Sequence, residues 1–120
     1  MKDNKLSISD LKVMEVLWNR GDTTAKEMAG ILLEQVGWSK TTTYTVIKKC
    51  IDKGAVKRRE PGFICQALLE KEQVQQEQTS ELIDRLYDGA PDALVASLLD
   101  SGSISREELD RLKKLVREYE

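Results

Sequence analysis

The feature that most constrains this 120-residue chain is a punctuation that recurs three times in its first 54 positions: a hydroxyl residue, an apolar stripe at three- and four-residue spacing, then a glycine. Ser7 with Asp10 three residues later forms a capping box, in which the hydroxyl accepts a backbone N–H of the first turn and the acid accepts the N–H of the cap. Leu11, Met14, Leu17 and Trp18 follow on one helical face, and Gly21 ends the helix. After a short Asp22-Thr23 extension, Thr24 and Glu27 repeat the box; Met28, Ala29, Leu32, Leu33 and Val36 form the second stripe, and Gly37 stops it. Ser39 is a natural N-cap for a third helix running to about Lys53, closed by Gly54, a residue that readily takes the left-handed conformation of helix ends.

On the third helix Thr43, Val46, Ile47, Cys50 and Ile51 share one side, opposite Thr41, Thr45 and Lys48, with Thr42 and Tyr44 flanking the polar side. Ala55-Val56-Lys57-Arg58-Arg59, a Glu60-Pro61-Gly62 turn and Phe63-Ile64-Cys65-Gln66-Ala67 then read as a short antiparallel hairpin. Three helices followed by a basic hairpin is the winged helix-turn-helix pattern, so the expected fold is mainly α with a small β-hairpin. Beyond it, a polar helix from roughly Glu70 to Tyr87 bears an apolar stripe only towards its end, at Leu82, Ile83, Leu86 and Tyr87. Gly89 breaks that helix, Pro91 opens another carrying Leu94, Val95, Leu98 and Leu99, and Ser105 with Glu108 caps a last one carrying Leu109, Leu112, Leu115 and Val116. The expected organisation is a winged-helix domain over 1–68 and a helical carboxy-terminal region over 69–120.

The net charge of -2 conceals a division at the end of the hairpin. Residues 1–68 hold 12 Lys/Arg against 8 Asp/Glu, and residues 69–120 hold 7 against 13. Lys40 to Arg59 alone carries 7 basic residues, with Asp52 the single acid. That short stretch attracts a polyanion, and the tail repels it. Histidine is absent, which removes the commonest general base, metal ligand and neutral-pH switch. No nucleophile pairs with a base, and Cys50 and Cys65 have no second ligand at metal spacing, so neither an enzyme nor a metal or cofactor site is expected. Cys50 falls on the apolar side of its helix and reads as inert, whereas Cys65 in the hairpin reads as more exposed, which leaves a redox switch open. Met1 to Ser7 lacks the apolar core of a signal peptide, and no stretch approaches the roughly 20 apolar residues of a membrane span. A cytoplasmic location without membrane insertion is expected.

A segment of 68 residues buries only about 60% of its unfolded surface and has little core to spare for a tail. The tail helices carry about ten large apolar side chains, each worth roughly 1.5 to 3 kcal/mol when fully buried. A second copy of the tail is the expected cover, giving a homodimer through Leu82, Leu86, Tyr87, Leu94, Val95, Leu98, Leu99, Leu109, Leu112, Leu115 and Val116. The alternative is a monomer whose tail packs back on its own amino-terminal domain.

Lys40, Thr41, Thr42, Tyr44, Thr45, Lys48 and Lys49 bring hydroxyl and ammonium groups to the third helix. Lysine neutralises phosphates and reaches guanine acceptors, threonine contacts phosphate oxygens, base edges or the thymine methyl, and the helix N-terminus favours a phosphate. Such residues on an exposed face are ordinary taken singly. Joined to the capped helix before them and the Lys57-Arg58-Arg59 strand after them, they read as a face for double-stranded DNA. Thr41, Thr42, Tyr44, Thr45 and Lys48 are the candidates for base or nearby phosphate contact, and Lys40, Lys49, Lys57, Arg58 and Arg59 for phosphate anchors. Trp18 and Trp38 read as core or staple residues rather than stacking platforms. The rival reading is a winged-helix module that holds a protein partner through its acidic tail and does not bind DNA.

With these residues in place, the chain resembles the penicillinase and methicillin-resistance repressors, the BlaI/MecI family, which also includes copper-responsive CopY-type repressors. The resemblance covers nearly the whole chain. Leu6-Ser7, Val13-Met14 and Leu17-Trp18 look like the family's first helix, and Trp38-Ser39, Thr42 and Thr45 like its Trp-Ser-x-x-Thr-x-x-Thr recognition segment. Lys53-Gly54 with Arg58 looks like the helix end and wing; Asp84-Arg85-Leu86-Tyr87, Gly89, Leu94-Val95 and Ser105 through Leu112 are similar to the dimerisation region. The resemblance implies repression of resistance or stress-response genes by a dimer on a dyad-symmetric operator, relieved in the penicillinase-type members through a sensor protease that triggers cleavage near the dimerisation helices. Three departures bear on that implication. The family's Asn-Phe cleavage bond is Ser97-Leu98 here, which speaks against inactivation by that route. An arginine common just after the wing glycine is Phe63, and the aromatic pair of the returning strand is Cys65 and Ala67, which implies fewer wing contacts to DNA. The paired-cysteine tail of the copper-responsive members is absent, which argues against copper sensing.

Overall fold

Each of the first three helices begins at the hydroxyl residue that the sequence marks. In the computed structural model, which describes residues 5–120, Ser7 caps α1 (Ile8–Arg20), Thr24 caps α2 (Ala25–Val36) and Ser39 caps α3 (Lys40–Asp52). The Ser7 Oγ accepts from the Asp10 N–H at 3.1 Å while the Ser7 N–H donates to Asp10 Oδ2 at 2.8 Å. Thr24 and Glu27 form the second box, with the Glu27 N–H donating to Thr24 Oγ1 at 3.1 Å. At the other ends, Gly37 and Gly54 take positive φ, 72° and 79°, the left-handed turn that a Cβ would strain. Met1 to Asn4, the start of the polar stretch read against an export signal, lie outside the described residues.

The expected hairpin forms from β2 (Val56–Arg59) and β3 (Ile64–Ala67), and a third strand joins it. Strand β1 (Thr23–Thr24) pairs antiparallel with the free edge of β3, so the order is β1-β3-β2. Two residues are too few to show strand alternation, which is why this segment reads only as an extension in the sequence. Thr24 serves both as the last residue of β1 and as the cap of α2, and the Ala25 N–H donates to the Phe63 carbonyl at 2.9 Å.

The chain divides between Gln75 and Gln76 into two compact units. The core of the first is built from Val13, Met14, Val16 and Leu17 of α1, Ala25, Met28 and Leu32 of α2, Val46, Ile47 and Cys50 of α3, and Ala55, Val56, Cys65 and Val74. Val74 lies in the first turn of α4 (Lys71–Leu86). Trp18 and Trp38 pack against this core, and the Trp18 Nε1–H donates to the Leu69 carbonyl at 2.9 Å.

Two expectations need correction. Leu33 and Val36 are exposed, at 60% and 38%, because Leu33 lies 100° past Leu32 at the stripe's edge and Val36 belongs to the last turn before Gly37. Cys65 is wholly buried, not exposed: it sits on the middle strand, opposite Thr23 on one side and Arg58 on the other, on the face that packs against the helices.

In the second unit, α5 (Pro91–Asp100) opens with proline in its first turn and α6 (Arg106–Glu118) with the Ser105/Glu108 capping box. The Glu108 carboxylate, accepting the Ser105 N–H at 2.9 Å, is held below the usual glutamate range by that hydrogen bond. No residue of α5 or α6 is buried. Among the described residues no helix is long and apolar enough to cross a membrane.

Candidate nucleic-acid interface

Helix α3 divides by its own periodicity. Thr43, Val46, Ile47 and Cys50 are buried, while Lys40, Thr41, Thr42, Thr45, Lys48 and Lys49 are exposed and Tyr44 is half-buried between them. Lys40, Thr41, Tyr44, Thr45 and Lys48 line one open concavity of about 520 Å³ along the helix. The Lys40 ammonium stands 5.8 Å from the centre of the Tyr44 ring. The Thr42 hydroxyl lies 3.0 Å from Ser39 Oγ, and the Thr42 N–H donates to the same oxygen, so Thr42 takes part in its own helix cap.

The pleat of the hairpin then sorts the wing's three cations. Side chains alternate across a strand, so Arg58 shares a face with Val56 and Cys65, while Lys57 and Arg59 lie on the other. Arg58 emerges at the margin of the helix-packed face, with its guanidinium carbon 3.7 Å from the centre of the Phe63 ring. The Phe63 ring meets that of Tyr44 edge to face, 5.7 Å between centres at 83°. A second concavity of about 510 Å³ is lined by Tyr44, Lys48, Ile51, Asp52, Arg58 and Phe63. Helix α3 and the wing thus share one surface, and Arg58 is the wing cation that faces it.

Acidic partners occupy several of the cations. Arg58 Nε donates to Glu60 Oε1, and the Phe63 N–H donates to Glu60 Oε2 at 3.2 Å; the hydrogen bond from Arg58 is the main reason the Glu60 carboxyl lies below its usual range. Arg59 pairs with Asp22, beside β1. Lys53 turns inward: its Nζ donates to Asp10 Oδ2 at 2.6 Å and to the Lys5 carbonyl at 2.8 Å. Burial opposes charge on Asp10, yet the hydrogen bonds from Lys53 and from the Ser7 N–H outweigh it and hold its pKa below the ordinary aspartate value. The ion pair ties the first turn of α1 to the end of α3. Lys40, Lys48, Lys49 and Lys57 have no acidic partner among the described residues.

The thiols offer no nucleophile. Burial, with the Asp10 carboxylate nearby, pushes Cys50 up to about 12, and burial raises Cys65 to about 11 against the pull of Arg58. No group of three His, Cys, Asp or Glu side chains among the described residues is placed to hold a metal ion.

Two contributors escape the sequence reading. Asp10 is legible as a cap but not as the buried partner of Lys53, since a capping acid usually faces water. Phe63 is legible only as a departure from a pattern; the hairpin register, which sets it just past the turn from Arg58, is the signal that locates it. The remaining sequence candidates, Leu82, Leu86, Tyr87, Leu94, Val95, Leu98, Leu99, Leu109, Leu112, Leu115 and Val116, lie in the second unit and are half-buried or exposed. Ser97 and Leu98 are exposed residues inside α5, and the Tyr87 hydroxyl donates to Ser97 Oγ at 3.1 Å.

Similarity to known proteins agrees with this geometry. The chain is 24% identical over 117 residues to the penicillinase repressor of Bacillus licheniformis, covering 96% of this chain and 91% of that protein. It is 24% identical over 119 residues to the methicillin resistance regulatory protein MecI of Staphylococcus aureus, covering 95% and 97%. The solution structure of the DNA-binding domain of the repressor BlaI superimposes with a TM-score of 0.54 at 26% identity, covering 61% of this chain and 93% of that one. A family model described as penicillinase repressor matches residues 6–118. The chain belongs to the penicillinase repressor family, a family of transcriptional repressors and not of enzymes.

Proposed function

We propose that this repressor acts as a homodimer that sets α3 of each subunit into a major groove of double-stranded operator DNA. The observation that carries the reading is the unbroken row of Lys40, Thr41, Tyr44, Thr45 and Lys48 along one exposed side of α3, free of acidic partners among the described residues and continuous with the wing through Tyr44 and Phe63. Thr41, Thr42, Tyr44, Thr45 and Lys48 make the base or nearby phosphate contacts, and Lys40, Lys49 and Arg58 anchor phosphates on the same surface; Lys57 and Arg59, on the hairpin's other face, stand apart from it. A two-fold axis between subunits would space the half-sites about 10 bp, or a multiple of that, apart.

Pairing of subunits is supported by the second unit's own exposure. Leu86, Leu98, Leu115 and Val116 are 44–64% exposed. Val95, Leu99, Leu109, Leu112 and Val116 line a groove of about 340 Å³. A face of this size left in water is expected to find a self-complementary cover. The position of the family's cleavage bond, Ser97-Leu98, lies within α5, so a sensor protease would reach it only after the helix unwinds, which together with the missing Asn-Phe pair speaks against release by that route.

Salt dependence of binding tests the proposal. An arginine that exchanges a carboxylate for a phosphate frees that carboxylate to collect a cation, so net counterion release comes mainly from lysines without acidic partners. Lys40, Lys48 and Lys49 on both subunits, at about 0.9 per phosphate, give a slope of log affinity on log salt of about -5. Lys48→Ala should weaken binding to every duplex and flatten the slope by about one per lost contact in each subunit. A flat response between ~50 and ~200 mM salt would favour the protein-interaction module instead. Sedimentation as a monomer at all concentrations would remove the homodimer.

A further inference from the structure

We propose that Phe63 is a positioning residue for DNA binding: its ring holds the Arg58 guanidinium on the recognition-helix side of the wing and joins it to Tyr44. The inference rests on the DNA-binding reading above.

Four separate constraints converge on this side chain. Its backbone has a positive φ of 49°, an uncommon state for a bulky residue. Its N–H donates to the Glu60 carboxylate and its carbonyl accepts from the Ala25 N–H, so both the turn and the start of α2 fix its backbone. One face of the ring carries Arg58 at 3.7 Å, within the range of a cation–π contact. The ring also meets Tyr44 of α3 edge to face. The resulting ladder, Lys40 to Tyr44 to Phe63 to Arg58, runs from the first turn of the recognition helix to the hairpin without a gap.

The consequence is geometric. A flexible arginine on a two-stranded ribbon samples many directions, and ordering it on contact with DNA costs conformational entropy. Stacked on Phe63 and tethered by Glu60, the guanidinium already points into the concavity that it shares with Tyr44 and Lys48. Its remaining N–H groups are left for a phosphate or a guanine edge beside the bases reached by α3.

The test is a variant cycle on the full-length chain, using a duplex that the wild type selects from a randomised library. Phe63→Leu, which keeps an apolar side chain but removes the aromatic face, should weaken binding to that duplex about fivefold. Phe63→Tyr, which keeps the ring, should bind within about twofold of wild type. With Arg58→Ala already present, Phe63→Leu should cost less than about twofold more, because the ring would have nothing left to hold. Circular dichroism melts establish that every variant is folded at the assay temperature. Equal losses for Phe63→Leu and Phe63→Tyr, or a full additional fivefold loss on the Arg58→Ala background, would overturn the positioning role. Selection of no duplex at all by the wild type would overturn the DNA-binding reading beneath it.

Discussion

Lys53→Met retains most of that side chain's length and removes its charge, leaving the Asp10 carboxylate at 0% exposure without its cation. Removing one partner of a buried pair costs about 3–5 kcal/mol, chiefly through the uncompensated charge left behind. The Lys53 side chain is 23% exposed, so water reaches the vacated end and the lower part of that range applies, about 3 kcal/mol. At roughly 1 kcal/mol per molar urea for a unit of this size, the midpoint should fall by about 3 M near pH 7. Trp18 and Trp38, the only two tryptophans of the chain, both lie in the first unit, so their fluorescence reports its unfolding.

The pH dependence supplies the sharper check. In the wild type the folded pKa of Asp10 lies below its unfolded value; its stabilisation is present above the unfolded pKa and is lost as pH falls through the folded one. In Lys53→Met, burial is opposed only by the hydrogen bonds from Ser7, so the folded pKa lies above that of the wild type and protonation costs the variant less. The gap between the two should therefore narrow from pH 7 toward about pH 4. Asp10→Asn added to Lys53→Met should recover much of the loss. A deficit below about 1 kcal/mol, or one equal at both pH values, would refute the assignment of Asp10 and Lys53 as a buried ionic clamp.

Three further outcomes are expected. Thr43→Val should stabilise the first unit by about 1 kcal/mol in the same urea assay, because the buried Thr43 hydroxyl has no partner among the described residues; a loss of stability would show that it does have one. Cys50 and Cys65 should react with a thiol reagent at about pH 8 only as fast as the first unit opens, and immediate modification of either in the folded chain would contradict their burial. Leu98→Glu with Val116→Glu should shift sedimentation toward monomer and weaken operator binding together; an unchanged mass would mean that this face is not where subunits meet.

The helices were readable in the sequence because their signals are local. A capping hydroxyl, joined by an acid three residues on at Ser7, Thr24 and Ser105 and by a glycine past the far end of each of the first three helices, acts within one turn of backbone, so Ser7, Thr24, Ser39 and Ser105 mark their helices without reference to the rest of the molecule. The polar side of α3 was equally legible, since burial of Val46, Ile47 and Cys50 fixes what must face outward. Strand β1 and the burial of Cys65 were not, because both follow from which segment meets the open edge of β3, a choice made across some forty residues. The pairing of Asp10 with Lys53 is hidden for the same reason: separated by 43 positions, neither residue carries a mark that differs from an ordinary cap or an ordinary basic face.

The wing illustrates how far a charge count departs from a charge arrangement. Lys57, Arg58 and Arg59 are consecutive, and summed with the basic residues of α3 they suggest a single strong phosphate clamp. The pleat sends Arg58 toward the helix groove and its two neighbours to the opposite face, where Arg59 meets Asp22. With Lys53 also turned inward to Asp10, the exposed unpaired charge shifts toward α3 itself, while Arg58 contributes direction through Phe63 and Glu60 more than it contributes excess charge. A wing arranged in this way adds little to indiscriminate attraction for polyanions and much to the fit between helix and hairpin, which is the division of labour a repressor needs if its preference for one duplex is to exceed its affinity for any duplex.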